Sequence, residues 1–438
     1  MKKLLLAFVP FLITGPLMAQ EPLTLDSAIN RILSYNIDIQ KNALDLAATL
    51  YAADHSWSTF FPTISVGANA TYNSNLITNG GLQFRETNVS WTLSATIRLQ
   101  LNAGIPFAIK ELKLAAENKS AEYERARRKL ELSVTSTFYG LLASQEYLKL
   151  LEENLAFAQR YRDRLYEAFQ AGITGEIAYL RSQLEVETAK ATLSTEQISY
   201  DNSLRTFLAL LGMDPDHAVT LKGEIQVNRL EVDAGQLIRE YLAVHPDVQA
   251  KRQEIERQEL VKKQSDFKTY GPTVDLSWGL NLNNSRGFTD PLSLGIAINI
   301  PINPWIPGTK ENQETRNVKS ALEKAQLDLK NTEQQTMLAI RLRAATLNNS
   351  WQNVENLRSR LNVAQKSYDL QERDFRAGAV GYSTLEDSQK ALYEAQYRLL
   401  QGEVSYWNAI LDLATAINVD WKMLVETYST LVENYSVK

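Results

Sequence analysis

The chain of 438 residues contains no cysteine. That excludes disulfides, thiolate metal sites, a cysteine nucleophile and a lipid-bearing cysteine behind an export signal. Histidine is nearly absent too: His55, His217 and His245 lie far apart, none in the two-histidine helical spacing of a metal site. Structural or surface roles are expected for all three, and no metal or cofactor. No P-loop, dinucleotide fingerprint or nucleophile elbow occurs, so no catalytic residues and no enzyme activity are expected. The net charge of −5 is spread evenly with no basic block, which sets nucleic acid aside as a partner. No apolar run reaches the roughly eighteen residues of a membrane-crossing helix.

What is present starts with MKKLLLAFVPFLITGPLMAQE, where Lys2 and Lys3 precede an apolar run from Leu4 to about Ile13 and small residues ending at Ala19. Residues 1–19 read as a cleaved secretory signal, with Leu17 an imperfect residue three before the cut. The remainder is written twice. FQAGITGEIAYLRSQ from Phe169 aligns without a gap on FRAGAVGYSTLEDSQ from Phe375, an offset of 206 residues. The same offset pairs Ala189 with Ala395, Leu193 with Leu399 and Tyr200 with Tyr406. YNIDIQ at Tyr35 resembles VHPDVQ at Val244 at a slightly longer offset. Each unit reads helix, two strands, long helix, glycine turn, helix. The expected division is a first repeat over 20–217, a linker over 218–233, a second repeat over 234–420 and a tail over 421–438.

In NVSWTLSATIRLQLN, from Asn88 to Asn102, apolar and polar residues alternate without exception. Successive side chains of a strand point to opposite faces, so one face seeks hydrocarbon and the other water. PTISVGANATY, TVDLSWGLNLN and LSLGIAINIPIN share the design, giving strands at about 62–73, 88–102, 272–283 and 291–303, joined as hairpins through NSNLITNGG and NNSRGFTDP. Each is long enough to cross a bilayer, and Trp91, Leu93, Ile97, Leu276, Trp278 and Ile298 are assigned to lipid. Four strands cannot close a barrel, and open edges are forbidden in lipid, so several chains must combine.

From about Pro106 to Phe169 only Gly140 interrupts a helical pattern, which implies a rod of roughly 95 Å. Leu141, Leu148 and Leu155 recur every seven residues, and after the second glycine turn Leu385, Leu392, Leu399, Tyr406 and Leu413 do the same. Helices over about 24–58 and 177–211 are each about half as long as this rod. The fold class expected is mainly α, with long coiled-coil hairpins and four transmembrane strands per chain in two repeats. A periplasmic coiled-coil adaptor or scaffold with a soluble sheet is the alternative the pattern admits.

LTLDSAI followed by Asn36, Pro62 and Pro272 entering the strands, F-x-A-G-x-x-G at both turns and S-Q heading both return helices resemble the outer-membrane efflux proteins of the TolC type. The resemblance covers nearly the whole mature chain. It implies a homotrimer whose twelve strands form one outer-membrane β-barrel above an α-barrel tunnel through the periplasm. It also implies a passive exit duct for an inner-membrane transporter joined by a periplasmic adaptor (a membrane fusion protein), or for a type I secretion system. Ala171, Gly172, Gly175, Ala377, Gly378 and Gly381 match the family's adaptor-contact turns. Family members close the periplasmic end with acidic residues just after the second glycine turn, often at the sixth and ninth positions past the turn glycine. Here these are Thr384 and Asp387, with Ala178 and Arg181 in the first repeat; Asp387, and Glu386 beside it, are the gate candidates.

Overall fold

The computed structural model describes residues 21–73, 88–283 apart from 224 and 226, and 292–429. The expected export signal, both expected strand connections and the last nine residues lie outside this range. The chain is mainly helical. The first unit runs β1 (Glu21–Leu23), α1 (Leu25–Tyr35), α2 (Ile37–Asp54), a 3-10 turn (Ser56–Phe60), β2 (Thr63–Asn73), β3 (Asn88–Asn102), α3 (Ile105–Gln170) and α4 (Glu176–Leu210). The linker holds β4 (Val219–Leu221), and the second unit runs α5 (Ala234–Tyr241), α6 (Pro246–Tyr270), β5 (Thr273–Asn283), β6 (Leu292–Asn299), a 3-10 turn (Asn303–Trp305), α7 (Lys310–Arg376), α8 (Tyr382–Ile417) and α9 (Trp421–Tyr428).

The helices obey local rules. α3 and α7, of 66 and 67 residues, each span about 100 Å. Both stop in the same way: a residue in right-handed conformation, Ala171 or Ala377, then a left-handed glycine, Gly172 at φ 71° or Gly378 at φ 73°. Gly172 N–H donates to the Phe169 carbonyl at 2.9 Å and Ile173 N–H to that of Ala168 at 2.8 Å. Gly378 and Ala379 repeat the pattern on Phe375 and Asp374 at 3.0 and 2.9 Å. This double closure satisfies carbonyls that a helix end leaves bare, and it needs the positive φ that glycine adopts without strain.

The expected single helix over 24–58 is broken. Asn36 ends α1 and caps α2, its Oδ1 accepting from the N–H groups of Asp38 and Ile39, both at 3.0 Å. β6 ends at Asn299, short of the expected 303, because Pro301 has no N–H for a ladder. The residues past 420 are not simply a tail, since α9 buries Leu424. Inside the linker, β4 pairs in parallel with β1, Glu21 opposite Val219 and Leu23 opposite Leu221.

Two apolar clusters occupy the waist of the molecule. One joins Ile32, Val134, Phe138, Leu141, Phe207 and Leu211; the other joins Leu237, Ile340, Leu347, Trp351, Tyr406, Ile410 and Leu413. Tyr406 ties the linker to the second: its hydroxyl accepts from Leu230 N–H and donates to the Asn228 carbonyl, both at 2.9 Å. Burial pushes that hydroxyl up to about 12. Gly402 lets α8 approach α7 closely, since a Cβ there would come within 2.5 Å of Leu357 Cδ1.

Candidate functional site: the sheet faces and the helical tips

β2, β3, β5 and β6 form one antiparallel sheet in that order. Register puts Ile64, Ile97, Trp278 and Leu294 on one rung and Leu99, Leu276 and Ile296 on the next. All these side chains share a face, because their spacing is two throughout. Trp91, Leu93 and Trp278 are exposed, and Ile298 is 66% exposed. Ile97 and Leu276 are half-buried, since they stand on the central strands between apolar neighbours. No described element covers this face: the helices pack on one another, and β3 alone among the four strands meets as much as the 3-10 turn after α2.

The other face is polar and low. Ser65, Thr96, Gly279 and Ser293 share one rung, and Gly67, Ser94 and Asn281 another. Three cross-strand glycine–serine pairs keep it flat, with Ser94 Oγ donating to the Gly67 carbonyl at 3.4 Å, Ser293 Oγ to Gly279 at 3.3 Å and Ser277 Oγ to Gly295 at 3.5 Å. A Cβ on Gly279 or Gly295 would meet the opposing hydroxyl at 2.7 Å. Among the described strand residues two charges stand on this floor, Arg98 and Asp275.

At the far end of the rods, Gly175 and Gly381 are the N-caps of α4 and α8 in extended backbone, three residues beyond the left-handed glycines. The six turn residues expected to act together therefore form two equivalent loops, each ending one long helix and starting the next. Among the described residues nothing lies within 4 Å of a Cβ built on Gly172, Gly175, Gly378 or Gly381, so both tips are open. Ile173 is 80% exposed on the first.

The two acidic candidates part company. Asp387 is exposed and has no ion pair among the described residues. Glu386 faces the other hairpin: its Oε1 lies 2.7 Å from Lys390 Nζ, which lies 3.0 Å from Glu185 Oε1 on α4. These groups border a cavity of about 280 Å³ between α3, α4 and α8 that Tyr147, Phe157, Tyr161 and Tyr393 also line. Burial, reinforced by Glu386, pushes the Tyr161 hydroxyl well above its ordinary range. Sequence reasoning missed Glu185 and Lys390. The spacing of Glu386 and Lys390, one helical turn apart, was the available signal for half the cluster.

Among the histidines, His245 caps α6, its Nδ1 accepting from Asp247 N–H at 3.2 Å.

An apolar sheet face left open by the described residues, continuous with helices of about 100 Å, is the architecture of a channel of the outer-membrane efflux class. The outer membrane efflux protein family model matches residues 28–213 and 237–419, and the chain belongs to that family. Toxin and drug export protein A of Aggregatibacter actinomycetemcomitans is 22% identical over 414 residues, 88% of this chain and 86% of the relative. Outer membrane protein TolC of Escherichia coli K12 is 19% identical over 439 residues, 95% of this chain and 86% of its own. The fold is similar to the CmeC outer membrane channel of Campylobacter jejuni, with a TM-score of 0.75 at 14% identity, covering 93% of this chain and 89% of that one.

Proposed function

We propose that this chain is the outer-membrane exit duct of an efflux pump or type I secretion system, a passive conduit that adaptor and transporter docking opens. The observation that carries this reading is the four-stranded sheet, apolar on one face and left open by the described residues, continuous with rods too long for a globular domain. On this reading the apolar face, with Trp91, Leu93, Ile97, Leu276, Trp278 and Ile298, meets outer-membrane lipid, and the helices stand in the periplasm. The same uncovered face speaks against a soluble scaffold, which would bury it.

The reading includes a homotrimer, and the edges of the chain support it. Near the strands the helices lie in the order α2, α3, α6, α7, and beyond the waist α4, α3, α8, α7. The outer edges carry apolar rows at seven-residue spacing, all exposed: Ile37, Leu44 and Tyr51 on α2, Ile177 and Leu184 on α4, and Val363 and Leu370 on α7. The sheet ends on the same two sides, with β2 on one and β6 on the other. Two different edges on one chain suit a head-to-tail ring, which leaves no strand edge in lipid. The family likeness selects three copies.

The turns at Ala171, Gly172 and Gly175 and at Ala377, Gly378 and Gly381 are the adaptor contacts of this reading, with exposed Ile173 as an apolar anchor. Asp387 is its gate carboxylate. Glu386, neutralised by Lys390, serves the contact between the hairpins rather than a free ring. Native mass spectrometry of the detergent-extracted protein tests the assembly: three copies with strand signal intact are expected, and a stable monomer with intact strands overturns it.

A further inference from the structure

The polar face of the sheet carries just two charged side chains among the described strand residues, and they differ in what holds them. Asp275 is tethered, its Oδ2 accepting from Asn299 Nδ2 at 2.9 Å on the β6 side. Arg98 stands opposite Thr63 on β2 and Ser277 on β5, is exposed, and has no ion pair among the described residues. It overhangs an open hollow of about 420 Å³ that Gln100, Asp275, Ser277 and Gly295 also line. The flat floor follows from Gly295, where a Cβ would collide with Ser277 Oγ at 2.7 Å. The guanidinium stands on a floor of glycine and serine with no ion-pair partner among the described residues, since Asp275, one step away on the same face, is engaged by Asn299.

We infer that Arg98 sets the ion preference of the strand-lined section of the duct, drawing small anions and the acidic groups of passing solutes to that level. The inference rests on the trimeric duct proposed above, which puts three copies at one height, four residues from the helix end of β3 at Asn102. Twelve strands about 4.8 Å apart and tilted about 40° close into a wall roughly 24 Å across. The axis then lies about 12 Å from the wall, close to the Debye length of about 10 Å at 0.1 M salt, so no solute crosses this level beyond reach of the ring. Each tethered Asp275 tempers the field without cancelling it, because its carboxylate is drawn toward β6. This ring is separate from the tunnel tip, some 100 Å away along the helices.

The test is the reversal potential of the purified protein in planar bilayers under a potassium chloride gradient near 0.1 M. Arg98→Gln should lower the chloride-to-potassium permeability ratio about twofold, Arg98→Glu should lower it further, and both differences should shrink at 1 M salt. The cysteine-free chain supplies a second arm. Arg98→Cys, assembled and conducting, should react with water-soluble thiol reagents from the lumen; a cationic reagent should restore the parent ratio and an anionic one lower it. An unchanged ratio in both Gln and Glu variants that still conduct overturns the inference, as does a Cys variant whose ratio ignores the sign of the attached charge. A parent that never conducts overturns the duct itself, and the ring with it.

Discussion

His245 shows how a single buried side chain ties stability to pH. Its ring caps α6 by accepting a hydrogen bond, which only the neutral form does at that nitrogen. Burial holds its pKa below the usual histidine value, outweighing the opposing pull of Asp247. A depressed folded-state value means that the folded chain binds fewer protons than the unfolded one. The contribution to stability is therefore complete above about pH 6.5 and is lost as pH falls below it. Thermal unfolding of the parent should shift downward between pH 7.5 and 5, whereas His245→Asn, which keeps a capping side chain, should flatten that dependence.

Alternation makes a second prediction at the same scale. Leu93 and Thr92 are adjacent and face opposite ways. A lysine in place of Leu93 should cost about 2–4 kcal/mol at mid-bilayer depth, while one in place of Thr92 should be tolerated in water. Comparing the two variants for outer-membrane assembly checks the facing, and equal assembly contradicts it.

Among the elements, the tip turns separate backbone need from contact. Gly378 sits at φ 73° with open space around it, so a substitution there is strained by conformation and not by crowding. Gly378→Val should distort the turn and abolish export while trimer and strand assembly persist; Gly378→Asn, which tolerates the left-handed region, should retain much of the export. Export assays alongside heat-modifiability on gels distinguish these outcomes. Crosslinks from an adaptor landing at the strand end would contradict the orientation.

The strands of this sheet and the glycine stops were legible because each rests on a local rule: period-two alternation for the first, positive φ for the second. The break at Asn36 was not read, although its repeat partner announced it. Asn36 aligns with His245, and the proline that follows His245 marks a helix start equivalent to the one at Ile37. β1 and β4 escaped because three-residue strands hold no periodicity, and their pairing depends on distant backbone. The cluster of Glu185, Lys390 and Glu386 escaped for the same reason, since only packing of one hairpin on the other brings α4 to α8.

For the whole molecule, Asp387 is the residue whose role depends on assembly. On one chain it is a solvated carboxylate early in α8. Three copies at the narrow end of a tunnel would form a carboxylate ring that favours cations. Asp387→Ala should weaken cation selectivity in planar bilayers and relieve block by multivalent cations added from the periplasmic side. The same selectivity and block in mutant and parent would return Asp387 to a helix-dipole role.

The parallel pairing of β1 with β4 also bears on how the chain is made. A chain threaded from its N-terminus delivers Glu21–Leu23 first, yet the partner, Val219–Leu221, arrives about two hundred residues later. Closing so long a loop is entropically costly, and contacts of that separation form late. Until they do, Leu23, which ends up buried, has no strand partner. The base of the first repeat is therefore sealed only after both of its long helices exist, and the moment β4 emerges is the earliest at which that repeat can become a finished building block.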